Sequence, residues 1–243
     1  MPYRRLPNTD LSRISSLEAA TKMEGFREHG DLVLSYRTTQ DALQFLIKFK
    51  KAHSKYINCH ELHLKSSKTY RGEVNTARMY VSHFVQVLYF AVQRGELKKE
   101  ILPDYGIDPD NFIMPDLSLE PAIVEWGERI IKAEEDRTRK GGIPIYNPTI
   151  AKVKVHWTIF KDHYIEHDQL RQNSAKALDE VTQMRPQADD IILDIWNQVE
   201  AFYNGLPQET KIEKCKKFGL IYYYRSIEKK RKLAAEQQNF IDF

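Results

Sequence analysis

With 243 residues, 42% of them hydrophobic and 29% charged, the chain has the composition of a folded globular protein of one large or two small domains, which excludes disordered, collagenous and low-complexity classes. The 37 Lys and Arg against 34 Asp and Glu leave a net charge of +3 with the signs interspersed, a solvated surface rather than a dedicated nucleic-acid-binding face. The longest nearly apolar stretch, Phe84 to Val92, is too short to span a bilayer, and no apolar signal core follows the basic opening MPYRRLPNTD, so no membrane partner is expected and the cytoplasm is the default compartment.

Apolar residues recur three and four apart between sparse Gly and Pro, so the expected fold class is all-α. A first helix is predicted from Thr9 or Asp10 as N-cap, through Ile14, Leu17 and Ala20, to a stop at Gly30. The second starts at Thr38, runs past Leu46, Phe49 and His53, and ends near Ser66. A third, Val74 to Arg94, contains YVSHFVQVLYFAV, apolar almost all round and therefore expected to be covered on several sides. After the turn-rich Pro103 to Pro115, a fourth helix is predicted from Ser118 to Gly141, with Ile123, Trp126, Ile130 and Ala133 on one stripe. Asn147 and Pro148 read as N-cap and first residue of a long fifth helix, stopped or kinked at Pro186. The last major helix runs from Ala188 to Asn204, and PQETKIEKCKKFG adds a short amphipathic turn before LIYYY.

An internal repeat organises these elements. Leu46 lines up with Trp157, Phe49 with Phe160, Val85 with Ile195, Gly95 with Gly205, and Tyr105–Gly106–Ile107 with Phe218–Gly219–Leu220, in order and at separations of 110 to 113 residues. The expectation is two repeated antiparallel helical-bundle units, residues 1–115 and 116–225, followed by a basic tail, 226–243.

The fifth helix carries the one histidine constellation, His156, His163 and His167, within an arc of about 40°. His163 and His167 are one turn apart, a spacing at which two imidazoles can share a metal ion, with His156 about two turns before His163. The bland alternative is a set of amphipathic histidines bordering a core. CHELH places His60, Glu61 and His63 in HExH rather than HExxH spacing, which reads as an exposed helix end, and His53 and His83 read as satisfied core residues. Cys59 and Cys215 belong to no paired motif, and no nucleophile elbow, phosphate loop or cofactor fingerprint occurs. Arg225, Lys229, Lys230, Arg231 and Lys232, beside the aromatic run, are candidate nucleic-acid contacts, although basic residues are also common where a helix ends.

MPYRRLPNTD and FGLIYYYR, with a helical repeat between them, resemble an uncharacterised group of tandem helical-repeat proteins from Bacteroidetes. The resemblance implies an intracellular bacterial protein and carries over no functional residue. The expected role is a non-enzymatic interaction or scaffold module that binds a protein partner or itself, with a metal- or ligand-binding bundle using His163 and His167, or a nucleic-acid role for the basic tail, as alternatives.

Overall fold

The computed structural model describes residues 3–224, and the candidate nucleic-acid residues Arg225 to Lys232 lie outside them. The protein is mostly helical, with 73% of the described residues in helix. The order is β1 (Tyr3–Arg4), α1 (Asp10–Lys22), β2 (Arg27–Glu28), β3 (Asp31–Leu32), α2 (Tyr36–Gln93), a 3-10 helix (Lys99–Tyr105), α3 (Glu120–Arg139), α4 (Ile150–Phe202), α5 (Gln208–Lys217) and β4 (Tyr222–Tyr223). Among the described residues no helix is long and apolar enough to cross a membrane.

Of the two expected N-caps, Thr9 caps α1, through a capping box with Ser12. Gly30 is not its stop. The helix ends at Lys22, and His29 and Gly30, with φ of 53° and 93°, form the two-residue turn that joins β2 to β3. Both positions of such a turn need positive φ, which Gly adopts freely.

The largest departures from expectation are two predicted breaks that do not occur. Residues 66–74 remain helical, so the second and third predicted helices are one element, α2. Tyr70 and Val74 are buried on either side of Gly72, and that burial outweighs the roughly 1 kcal/mol helix penalty of a glycine. Ser67 and Thr76 donate their hydroxyls to the carbonyls of His63 and Gly72, four residues back, so neither competes with the helix for its amides. Likewise α4 continues through Pro186. Pro186 and Thr182 are both exposed, so the carbonyl left without a proline N–H faces water. Next to it, Arg185 donates two hydrogen bonds of 2.8 Å to the Asp10 carboxylate. At the other end, Thr149 rather than Asn147 precedes α4, after a cis Asn147–Pro148 bond. The CHELH residues therefore sit mid-helix, and His83 is exposed. In the YVSHFVQVLYFAV stretch Val81, Phe84, Val85, Leu88 and Ala91 are buried, while Phe90 is 54% exposed and leaves one side open.

Contacts divide the described chain into two compact units, residues 3–58 with 175–224 and residues 59–174. This division does not follow the expected consecutive halves with a seam at Pro103 to Pro115. The reason lies in the long helices, each of which buries its two stretches in different clusters. In unit 1 the core is built from Leu17 of α1, Phe45 and Phe49 of α2, Trp196 and Val199 of α4, and Phe218. Within it α2 and α4 run antiparallel, since Thr38 meets Asp194 while Lys55 meets Glu180. The unit also holds β1 against β4, Tyr3 opposite Tyr223. In unit 2 the core is Phe84, Val85 and Leu88 of α2, Tyr105 of the 3-10 helix, Ile123 and Ile130 of α3, and Phe160 of α4. There Gly127 of α3 receives the Trp157 indole, whose Nε1–H donates to the carbonyls of Ile123 and Val124 at 3.2 Å.

Candidate functional site

Unit 2 carries the features with chemical character. The first is a buried charge. Glu134, on the inner face of α3, is fully buried, a position a carboxylate tolerates only when its oxygens are satisfied. Oε2 accepts the Tyr105 hydroxyl at 2.5 Å and Arg137 Nε at 2.9 Å, and Oε1 accepts Arg137 Nη2 at 2.8 Å and the Ile145 amide at 3.1 Å. Arg137 also donates to the Ile143 carbonyl at 2.7 Å. Burial, reinforced by the facing carboxylate, pushes the Tyr105 phenol well above its ordinary pKa, so the hydroxyl stays a donor. The network ties the 3-10 helix and the segment after Gly142 to α3.

The held segment is apolar and faces outward. Ile143 and Tyr146 are 71% and 75% exposed, and with Val87, Ala91, Leu97 and Pro144 they line a groove of about 520 Å³. Arg94 and Glu96 close its rim with a bidentate pair, and hydrogen bonding from Arg94 holds the Glu96 carboxyl below its usual range. Sequence reasoning missed this site. Its signal was IPIY between Gly141–Gly142 and Asn147–Pro148, four apolar residues in a segment too short and too turn-rich to have a buried helical face. The Glu134 network was also missed, because one Glu among EED carries no mark of burial.

The second feature is the histidine row. All three predicted histidines face α2, as their common arc implies. His156 stacks on Tyr80 with ring centres 4.2 Å apart. His163 Nδ1 contacts the Glu73 carboxylate. His167 stacks on Tyr70 at 4.3 Å, has the His63 ring at 4.9 Å, and meets Ser67 Oγ through Nε2 at 3.0 Å. Ser67 spends its one proton on the His63 carbonyl, so Nε2 of His167 carries the hydrogen and donates. His163 and His167 thus engage different side chains rather than a common centre. Among the described residues no group of three or more His, Cys, Asp or Glu is disposed to hold a metal ion. Cys215 is buried in unit 1, and burial pushes its thiol up, which suits a structural thiol rather than a nucleophile.

The surroundings of His167 make a pH dependence explicit. Desolvation, then His63, lower its pKa below the ordinary 6.5, with Arg171 acting the same way and Glu120 and Asp168 opposing. The unfolded chain therefore takes up this proton more readily than the folded one. The stability that neutral His167 contributes is complete above about pH 6.5 and is lost as pH falls below it. Urea unfolding at neutral and mildly acidic pH should show this loss, and His167→Gln, which keeps a donor for Ser67 but cannot titrate, should shrink it. An unchanged pH dependence in that variant would place the titrating group elsewhere.

Tyr70 is buried beside this cluster, and its phenol is pushed up by desolvation first and by the Glu120 carboxylate second. No protein-family model, curated protein or solved structure matches the chain.

Proposed function

We propose that the protein is a non-enzymatic interaction module, built from a duplicated helical unit, that presents the Ile143–Tyr146 groove to a second protein chain, either a copy of itself or a partner. The observation that carries this reading is the groove's combination of exposure and rigidity. A contiguous exposed apolar patch marks a contact surface, and the backbone that presents this one is held by two hydrogen bonds, from Arg137 to the Ile143 carbonyl and from the Ile145 amide to Glu134. A surface already held in one conformation loses little entropy on binding.

The duplication is supported by more than aligned apolar residues. Gly106 and Gly219 both have positive φ, 76° and 84°. Each is the turning point of the same pair of hydrogen bonds: Gly106 N to Pro103 O and Ile107 N to Leu102 O, Gly219 N to Lys216 O and Leu220 N to Cys215 O. The flanking Tyr105 and Ile107 are buried, as are Phe218 and Leu220. The two halves also repeat a helix order of short, long and short: α1, α2 and the 3-10 helix, then α3, α4 and α5.

Sedimentation velocity over a wide concentration range, with binding of an apolar dye, tests the functional reading. Reversible association or dye binding that Ile143→Asp and Tyr146→Asp weaken by an order of magnitude is the expected result. A strictly monomeric protein that binds no dye would remove the physical motive for the proposal.

A further inference from the structure

We infer that the face of α2 from Glu61 to Arg71 is a second docking surface, and that its occupant is an acidic amphipathic segment of a partner protein. The inference rests on the interaction-module reading and adds the chemistry of a partner. Glu61, Leu64, Lys65, Ser67, Lys68 and Arg71, all on α2, line an open, shallow depression in unit 2. Lys65, Lys68 and Arg71 are all exposed, and none forms an ion pair or hydrogen bond with a described residue. The nearby Arg171 of α4, by contrast, is held by Asp168 at 2.6 Å. Three unanswered positive charges within seven residues span about 9 Å of helix. Leu64, half exposed at 50%, lies on the same stripe as Lys68 and Arg71, at positions i, i+4 and i+7. One apolar contact flanked by cations is the complement of a helix bearing a leucine-like side chain and carboxylates one turn apart.

Nucleic acid fits this surface less well. Single strands are held by stacking on aromatic rings, and no aromatic residue lines this depression. Glu61 places a carboxylate in the path of a phosphate backbone, and three cations are fewer than the contacts that drive phosphate binding. The same Glu61 gives the surface a direction. A bound segment lays its acidic residues over Lys65 to Arg71 and a neutral or basic residue over Glu61, about 6 Å before Lys65 and about 15 Å before Arg71 along the helix.

The test uses the full-length protein and a fluorescein-labelled synthetic helix with glutamates at i and i+4 around leucine, read by fluorescence anisotropy. Binding that weakens as salt rises, and that the combined Lys65→Gln, Lys68→Gln and Arg71→Gln variant reduces roughly tenfold, is expected from three exposed charge contacts acting together. Leu64→Ala weakens it further, Glu61→Gln strengthens it, and Lys48→Gln with Lys51→Gln, earlier on α2, leaves it unchanged. No saturable binding, an equal loss in the Lys48 and Lys51 variant, or an oligo-thymidine probe that binds as tightly and responds to the same triple variant would each overturn the assignment. Circular dichroism of the variants verifies the fold. The triple variant leaves sedimentation and dye binding at the Ile143 groove as in the parent, so failure here is distinguishable from failure of the broader reading.

Discussion

Glu134→Ala is expected to cost about 3–5 kcal/mol of stability, the effect of breaking a buried ion pair from one side. The substitution removes the acceptor of four hydrogen bonds at once and leaves Arg137, the Tyr105 hydroxyl and the Ile145 amide without it in a water-poor site. Arg137 retains its bond to the Ile143 carbonyl, so its loss is partial. Adding Arg137→Leu should recover part of the deficit by removing the stranded cation, and not all of it, because the phenol and the amide remain. Glu134→Gln keeps the shape and some acceptors and should lie between. Urea unfolding followed by tryptophan fluorescence in a Trp196→Phe background reads unit 2 through Trp126 and Trp157. A loss below about 1 kcal/mol for the alanine variant would mean that water reaches the site and that the network is not the anchor described. Because the same carboxylate holds the Ile145 amide, weakened association at the Ile143 groove should accompany the stability loss, although Glu134 is not on that surface.

Gly127→Ala is expected to destabilise by about 2–4 kcal/mol, against the direction that helix propensity alone dictates. In an exposed helix, replacing Gly by Ala gains roughly 1 kcal/mol. At Gly127 a Cβ would lie 2.0 Å from Cδ1 and 2.2 Å from Nε1 of Trp157, so the indole must move and give up its hydrogen bonds to Ile123 and Val124. Gly72 of α2 is the natural comparison. A Cβ there meets no atom within 4 Å, and Gly72→Ala should stabilise by about 0.5–1 kcal/mol. Opposite signs for one chemical change in two helices is the expected outcome, measured as urea midpoints. A stabilising Gly127→Ala would show that α3 and Trp157 do not pack as described.

These two glycines also mark how far the sequence could be read. Periodicity placed the α3 stripe of Ile123, Trp126, Ile130 and Ala133, of which Trp126 is only partly buried, and the shared arc of His156, His163 and His167, because both depend only on helix geometry. It broke α2 at Ser66 and α4 at Pro186, because propensity is local, whereas burial of Tyr70 and Val74 and the Asp10 bond to Arg185 come from residues distant in sequence. The metal reading of His163 and His167 used a spacing along one helix. Their partners Glu73 and Ser67 come from α2, which that spacing could not reveal. Ile143 and Tyr146 escaped notice because an apolar residue in a loop reads alike whether it is tucked in or presented outward.

The division of the chain has a consequence for its biosynthesis. Unit 2 lies on one unbroken stretch, 59–174, whereas unit 1 joins residues 3–58 to 175–224. Domains fold as units while the chain emerges from its N-terminus. The stretch made first, with Leu17, Phe45 and Phe49, has no Trp196 or Phe218 to close over it until nearly the whole chain has been synthesised. Unit 2 is complete first, and unit 1 closes last, when β4 reaches β1. In the interval between, Leu17, Phe45 and Phe49 lack their C-terminal partners, and a ribosome stalled once Ser174 has cleared its exit tunnel would hold a finished unit 2 and an unfinished unit 1.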